Sequence, residues 1–378
     1  MIRCCSCLIP DTRPDTAFVD GECSACRNFA QRSSVDWDAR MHQFESILEG
    51  GRNSSGFDCI VPSSGGKDSH YQVLRLIELG AKPLVVTAST CYLTPIGRKN
   101  IDNLSRYATT IEITPNRSVR AKLNRAGLSL VGDISWPEHL AIFSLPFKAS
   151  VQFGIPLIFY GESPQREYGC PPGAEEAMLM TRRWVNEFGG LLGLRLNDLV
   201  GYEGISARDI EEYRWPVDDD ITSNGVRAYW LGQFEKWDSH RNADAAKAHG
   251  MFQECPSTAN IWDHENLDNA MTGLHDHMMY RKYGYGRAAA QLSIDIRNGS
   301  RTRWEALKIC EIVDGLFPYH YAGVELKEVL DHLSMSLDEL VNIMGRFTNW
   351  NLFSRIDDNR PILIDADRRF GLDEKVFA

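Results

Sequence analysis

Cys59-Ile60-Val61-Pro62-Ser63-Ser64-Gly65-Gly66-Lys67-Asp68-Ser69 decides the fold. Its first three residues are an apolar run. Beyond Ser69 the apolar residues Val73, Leu74, Leu76 and Ile77 recur at helical spacing. A strand, a glycine-rich turn and a helix in that order form a geometry that holds phosphate. Gly65 and Gly66 let the backbone approach a ligand closely and adopt positive φ. Their amides, with a helix N-terminus behind them, attract an anion. Lys67 adds a positive charge, and Ser64 and Ser69 add hydroxyl donors. The common phosphate loop G-x-x-x-x-G-K-[ST] is not met, because residue 61 is Val and Asp68 follows the lysine. The bland alternative is a Gly-Ser turn ahead of an ordinary helix, and the order of strand, loop and helix speaks against it.

The stretch sits in a βα alternation. Residues 69–80 form the helix behind the loop, ended by Gly80. Pro83–Ala88 is a second strand, 98–107 a helix, and Thr109–Ile113 a third strand. Residues 139–153 read as a helix that Pro146 should kink, and 155–160 as another strand. Short apolar strands alternating with helices predict an α/β fold, a parallel twisted sheet with helices on both faces. Ligands of such sheets lie beyond the carboxyl ends of the strands. Residues 64–69 and Gly161-Glu162-Ser163 therefore share one rim, which makes Glu162 a candidate for a Mg²⁺ or ATP contact, with a solvated loop carboxylate as the alternative.

Five of the ten cysteines fall within the first 26 residues. Cys4-x-x-Cys7 followed by Cys23-x-x-Cys26 is a four-thiolate zinc pattern, each C-x-x-C placing two thiolates on one tetrahedral ion. Asp20-Gly21 between them is a hairpin signal, so the segment should be a small ribbon. Zinc would supply much of its folding energy, about 10–16 kcal/mol in comparable peptides. Four thiolates leave no open position, so the metal is structural. An iron–sulfur cluster and four free thiols are the alternatives, and Cys5 could replace Cys4 as a ligand.

Residues 36–49 look like a helix, and 50–56 a linker. Between about 170 and 230 the pattern weakens and aromatics accumulate, with Asn224-Gly225 as a turn; helical periodicity returns after 235. Ser336-Leu337-Asp338-Glu339 ahead of Leu340 and Ile343 is a capping box. The expected organisation is a zinc ribbon (1–35), a helix and linker (36–56), an ATP-binding domain (57–235) and a mainly helical C-terminal region (236–378).

A hydrophobic fraction of 43% and a charged fraction of 24% are those of a globular protein. No apolar run reaches the ~18 residues of a membrane span, and the first residues lack the apolar core of a secretory signal, so a cytoplasmic location is expected. The net charge of −10 disfavours a nucleic-acid partner. Within this acidic chain Arg281, Lys282, Arg287, Arg297, Arg301 and Arg303 cluster against one acid, Asp295. Such a cluster suggests an anionic substrate contacted by Arg287, Arg297 and Arg301, with a solvated helical face as the alternative. His264, His275 and His277 read as structural histidines, and Gly284-x-Gly286-x-x-Ala289 lacks the preceding strand of a dinucleotide site.

Residues 64–69 resemble the pyrophosphate loop (PP-loop) of the ATP pyrophosphatases, whose fold is adenine nucleotide alpha hydrolase-like. Those enzymes split ATP into AMP and pyrophosphate and attach AMP to an oxygen that must leave. The paired C-x-x-C motifs, this loop, Gly161-Glu162-Ser163 with Glu167-Tyr168-Gly169, and Ser293-Ile294-Asp295-Ile296-Arg297-Asn298-Gly299 occur in one order. Together they resemble the N-acetyl sugar amidotransferases of surface-polysaccharide (LPS O-antigen) and flagellar sugar biosynthesis, the WbpG/PseA type. The likeness runs from the ribbon to about residue 350, and the extra Cys5 is its visible departure.

The resemblance implies conversion of an N-acetyl group of a UDP-sugar into an acetamidino group, through an O-adenylyl imidate that ammonia attacks. It implies ATP binding by Ser64, Gly65, Gly66, Lys67, Asp68, Ser69, Gly161 and Glu162, with Lys67, Asp68 and Ser69 catalytic. Asp68 and Glu162 would hold Mg²⁺. Residue 2 is Ile, and no cysteine lies in a Gly-x-Cys-x-Gly elbow, so this chain is not set up to make its own ammonia; the resemblance implies a separate glutaminase with a barrel-shaped companion that supplies it. Two other readings compete. A tRNA thiolation enzyme would need a persulfide-carrying cysteine, for which Cys91 and Cys170 lie at plausible places. A non-catalytic nucleotide-binding scaffold would not need the complete loop.

Overall fold

In a computed structural model, which describes residues 1–52, 56–168, 177–253 and 256–364, Cys59–Pro62 is the central strand of a six-stranded sheet. Phe18–Val19 (β1), Glu22–Cys23 (β2), Ser24–Gln31 (α1) and Trp37–Gly51 (α2) precede it, which makes it β3. Lys67–Glu78 (α3), Pro83–Ala88 (β4), Pro95–Leu104 (α4), Thr109–Ile113 (β5), Arg117–Val131 (α5), Trp136–Phe153 (α6) and Leu157–Tyr160 (β6) follow. After Pro164–Tyr168 (α7) come Leu179–Met180 (β7), Arg182–Phe188 (α8), Asp218–Ser223 (α9) and Arg227–Trp230 (β8).

The sheet order is β5-β4-β3-β6-β8-β7; the first five strands are parallel and β7 joins the edge antiparallel. Alternate residues face opposite sides. Ile60, Leu84, Val86 and Ile158 pack on α5 and α6, while Val61, Val85, Leu157 and Phe159 pack on α2 and α3. Burial of both faces explains why these strands read as continuous apolar runs. Chain order reverses between β3 and β6, and that switch point opens a crevice at the strands' carboxyl ends.

Several elements differ from the sequence expectation. The fourth helix starts at Pro95, capped by the Thr94 hydroxyl, which accepts from Gly97 N–H at 2.9 Å; proline favours the first helical turn. The 139–153 helix begins three residues earlier and runs through Pro146. α5, capped by Asn116, was not anticipated, nor was β8, whose aromatic stretch is the fifth parallel strand. The 50–56 linker starts later, because α2 continues through Gly51, where any side chain would collide with Leu157. Residues 53–55 and 169–176, including Gly169 and Cys170, lie outside the described residues.

Ser239–Ala248 (α10), Thr272–Tyr283 (α11), Arg287–Arg297 (α12) and Arg303–Val313 (α13) lead the C-terminal region. A hairpin of His320–Tyr321 (β9) and Val324–Glu325 (β10), then Leu326–Leu333 (α14), Leu337–Phe347 (α15) and a second hairpin of Phe353–Asp357 (β11) and Arg360–Leu363 (β12) complete it. The region is mostly helical, and its core joins the sheet half through Leu128 and Ile134. The Ser336 hydroxyl accepts from Glu339 N–H, as its spacing predicts. Among the described residues no helix is long and apolar enough to cross a membrane.

Candidate active site

The loop that follows β3 turns at Gly65, whose φ of +82° and close approach to Ile101 exclude a side chain. Ser69 Oγ accepts from Ser64 N–H at 3.1 Å, and Ser63 Oγ accepts from Gly65 N–H at 3.1 Å, which fixes the loop against the first turn of α3. Gln72 on α3 spans to the next strand, its amide donating to the Phe159 carbonyl and accepting from Gly161 N–H at 3.1 Å. The loop and the Gly161-Glu162 turn thus share one rim, as anticipated. Between them lies a cavity of about 260 Å³. Val86, Ala88, Phe143 and Pro146 give it an apolar wall, and Ser64, Asp68, Ser69 and Glu162 a polar end.

Lys67 is buried and bridges two carboxylates, Asp68 Oδ2 at 2.9 Å and Glu265 Oε2 at 2.8 Å. Burial works against its charge, but Asp68, Glu265 and Glu162 together hold the ammonium above the usual lysine value. Glu162 shows the converse. Burial, reinforced by Asp68 and only partly offset by Lys67, pushes its carboxyl up to about 8. The Tyr168 hydroxyl donates to both Glu162 oxygens, at 3.3 and 3.1 Å. Asp68 Oδ1 accepts from Asn242 on α10 at 3.1 Å. Asp68 and Glu162 both edge the cavity, and two carboxylates at its polar end are a donor set that suits Mg²⁺.

Sequence reasoning missed Glu265, Asn242 and the surroundings of His264. They sit in loops and on a polar helix face, and nothing local in the sequence marks them. Beside Glu265, His264 stacks on Trp262, with ring centroids 5.4 Å apart, and His240 meets both rings edge-on. His264 Nδ1 lies 2.8 Å from Asp263, while its buried Nε2 has no partner among the described residues. His264 therefore sits next to the Lys67–Glu265 pair, whereas His277 is buried against Arg281 and His275 is bonded to Asp133.

The basic cluster disperses in space. Arg287 forms a two-pronged pair with Asp276 beneath Glu265. Arg297 donates to the Glu167 carbonyl at 2.8 Å, and Arg301 to Asp295 at 3.0 Å. Arg281 donates to Thr348, and Arg303 to the carbonyls of Cys4 and Cys7. Gly286 and Ala289 open α12, and their amides are held by Asp314 rather than left for a ligand.

At the N-terminus, Asp20 (φ 50°) and Gly21 (φ 81°) make the hairpin turn between β1 and β2. Cys4, Cys7, Cys23 and Cys26 are buried together, with Sγ separations of 3.9 Å (Cys4–Cys26) and 3.6 Å (Cys7–Cys23). Tetrahedral Zn–S bonds of about 2.3 Å require sulfurs roughly 3.8 Å apart, so the buried four-cysteine cluster can hold zinc. The Cys4 and Cys7 sulfurs also accept from the Cys23 and Ile9 amides, which suits thiolates. Cys5 is exposed and outside the cluster, whereas Cys4 lies within it.

The ribbon reaches the site through α7. Arg13 donates to the Tyr168 carbonyl at 2.7 Å, Asn28 to the Gln165 carbonyl at 3.1 Å, and Arg32 pairs with the Glu167 carboxylate. Ser293 on α12 accepts from Leu8 N–H at 3.1 Å.

Residues 234–363 match the family model of the LPS biosynthesis protein WbpG-like C-terminal domain. No curated protein matches the chain.

Proposed function

From a chain that carries a WbpG-like C-terminal domain of the LPS biosynthesis type, we propose an ATP-dependent, AMP- and pyrophosphate-forming amidotransferase that turns an N-acetyl group of a UDP-sugar into an acetamidino group. The observation that carries this reading is the Lys67–Glu265 pair, where the phosphate loop of the parallel sheet meets the WbpG-like region at one ammonium.

An acetamide oxygen is a poor leaving group, and ammonia does not displace it unaided. Its oxygen attacks the α-phosphorus of ATP, the bond to the β-phosphate breaks, and an O-adenylyl imidate forms. The apolar wall of the cavity takes the adenine, and Ser64, Gly65, Gly66 and Ser69 cradle the phosphates. Lys67 meets the charge that develops on pyrophosphate. Asp68 and Glu162 would hold Mg²⁺, which would offset the negative charge of the phosphates. Zinc in the four-cysteine cluster would be structural, its coordination closed.

The thiolation reading finds little support at Cys91. Its thiol is buried beside the C-terminal core, 3.1 Å from His332 Nε2, and burial with Glu138 nearby pushes it up, away from a reactive thiolate.

The test is incubation of the full chain with ATP, Mg²⁺, ¹⁵N-ammonium and a panel of UDP-acetamido sugars. Sugar-dependent pyrophosphate release and ¹⁵N incorporation are expected with at least one sugar. Lys67→Met should lower the rate by about 10²–10³-fold, as loss of one charge-stabilising donor does. Pyrophosphate release that needs tRNA, or no release with any sugar, sinks the proposal.

A further inference from the structure

Asp295 is the acid inside the Ser293–Gly299 stretch, and it is almost fully buried. It does not point into a featureless core. Its Oδ1 lies 2.8 Å from His240 Nε2 and its Oδ2 accepts from Arg301 at 3.0 Å. A carboxylate held by Arg301 accepts, so Nε2 carries a proton, and in the neutral ring Nδ1 is the nitrogen with the free lone pair. Nδ1 has no partner among the described residues. His240 stands in the first turn of α10, two residues before the Asn242 that bonds Asp68. Its ring meets Trp262 at 4.8 Å and His264 at 5.7 Å, and Glu265 next to His264 holds Lys67. The side chain is 38% exposed, so a proton can leave to solvent.

Resting on the amidotransferase reading, we infer that His240, held by Asp295, is the general base of the ammonia half-reaction. Ammonia adds to the carbon of the protonated O-adenylyl imidate, and the adduct carries the new nitrogen as –NH₃⁺. His240 Nδ1 takes one proton from that nitrogen. The nitrogen lone pair then forms the C=N bond, the C–O bond breaks with its electrons leaving on AMP, and the product is an amidinium. The imidazolium returns its proton to water. Asp295 is a positioning residue: it fixes the tautomer and favours the imidazolium that forms. This geometry gives a role to a motif that the ATP loop leaves unused.

The groups facing His240 are Asp295 from α12, Asp238 at its own helix cap, Lys67 from α3 and His264 from the loop. The Asp295 bond and Asp238 raise it, and partial burial and Lys67 oppose them. The experiment uses the full chain with the UDP-acetamido sugar that turns over best, and ammonium as nitrogen donor. His240→Gln should lose about 10²–10⁴-fold in steady-state rate yet keep the first-turnover burst of pyrophosphate, and imidazole should restore part of the rate. Asp295→Asn should move the acidic limb of the pH–rate profile to lower pH, because the carboxylate no longer raises His240; a purely structural role would lower the rate at every pH. Wild-type steady-state rate in His240→Gln, or loss of the burst with it, overturns the inference. No sugar-dependent pyrophosphate release by the wild-type chain would instead overturn the amidotransferase reading.

Discussion

Glu162 is the residue at which the site works against the fold. Half-buried beside Asp68 and within reach of Glu265, its carboxyl is raised by desolvation from 4.5 to about 8. Between those two pH values the unfolded chain releases this proton while the folded chain keeps it. Stability therefore falls as pH rises through that window. Glu162→Gln retains the shape of the protonated form without its titration. It should gain about 1–3 kcal/mol on the wild type between pH 4.5 and 8 in urea titrations, on a scale of 1.36 kcal/mol per pKa unit discounted for coupling to its neighbours. Equal pH dependence of the two proteins would show that Glu162 is ionised throughout. The neighbouring Glu265 has the opposite sign: despite burial, Lys67 and Arg287 pull it down, so it stabilises the fold above its ordinary range.

At the scale of elements, α12 is the member that joins ribbon to site. Ser293 holds the Leu8 amide, Ile296 packs on the cysteine cluster, Asp295 faces His240, and Arg297 holds the α7 carbonyl. Positions 293, 296 and 297 lie on one face of a helix and 295 on another, as 3.6 residues per turn requires. The loop after β3, the parallel strands and the cysteine spacing were legible because each is a local pattern with one physical meaning. β8 was not, because its residues (Arg227, Ala228, Tyr229 and Trp230) belong to an aromatic-rich stretch without clear alternation. Glu265 and Asn242 were invisible because only the tertiary fold brings them to Lys67 and Asp68. Arg281, Arg297, Arg301 and Arg303 show the same limit, since neighbours in sequence take separate partners in the fold: Thr348, the Glu167 carbonyl, Asp295 and the Cys4 carbonyl. The ribbon's bonds to α7 also make a prediction. Stripping metal with a thiol-binding mercurial should release one zinc per chain. Pyrophosphate-forming activity should decline in proportion, because α7 carries the Tyr168 that orients Glu162. Far-UV circular dichroism should change little, since the six-stranded sheet has its own cores. Full activity after complete zinc release would reduce the ribbon to a separate appendage.

Across the whole molecule, the site is a seam. Lys67, Asp68 and Glu162 come from the parallel sheet, and His240, Asn242 and Glu265 from the region matched as WbpG-like. A seam can accept two substrates from different sides, but it still needs ammonia, which is mostly ammonium at neutral pH. A chain that made its own ammonia from glutamine would need an activated nucleophile. Burial pushes the thiols of Cys59, Cys91 and Cys310 up, so none of these three is a thiolate near pH 7. The ribbon thiols Cys4, Cys7, Cys23 and Cys26 are turned in on one another. Exposed Cys5 lies 3.8 Å from the Ser6 hydroxyl, which is itself bonded to Glu22. None of these eight described cysteines is set up as a nucleophile, and a glutaminase on another chain, with the barrel-shaped companion that the family resemblance implies, stays part of the proposal. The purified chain should use ammonium, with a rate that climbs with pH as the free base becomes available. It should use glutamine at no more than about one hundredth of that rate until a glutaminase partner is added. Steady-state assays with each nitrogen donor decide the matter, and vigorous glutamine use by the single chain would place a glutaminase centre within it.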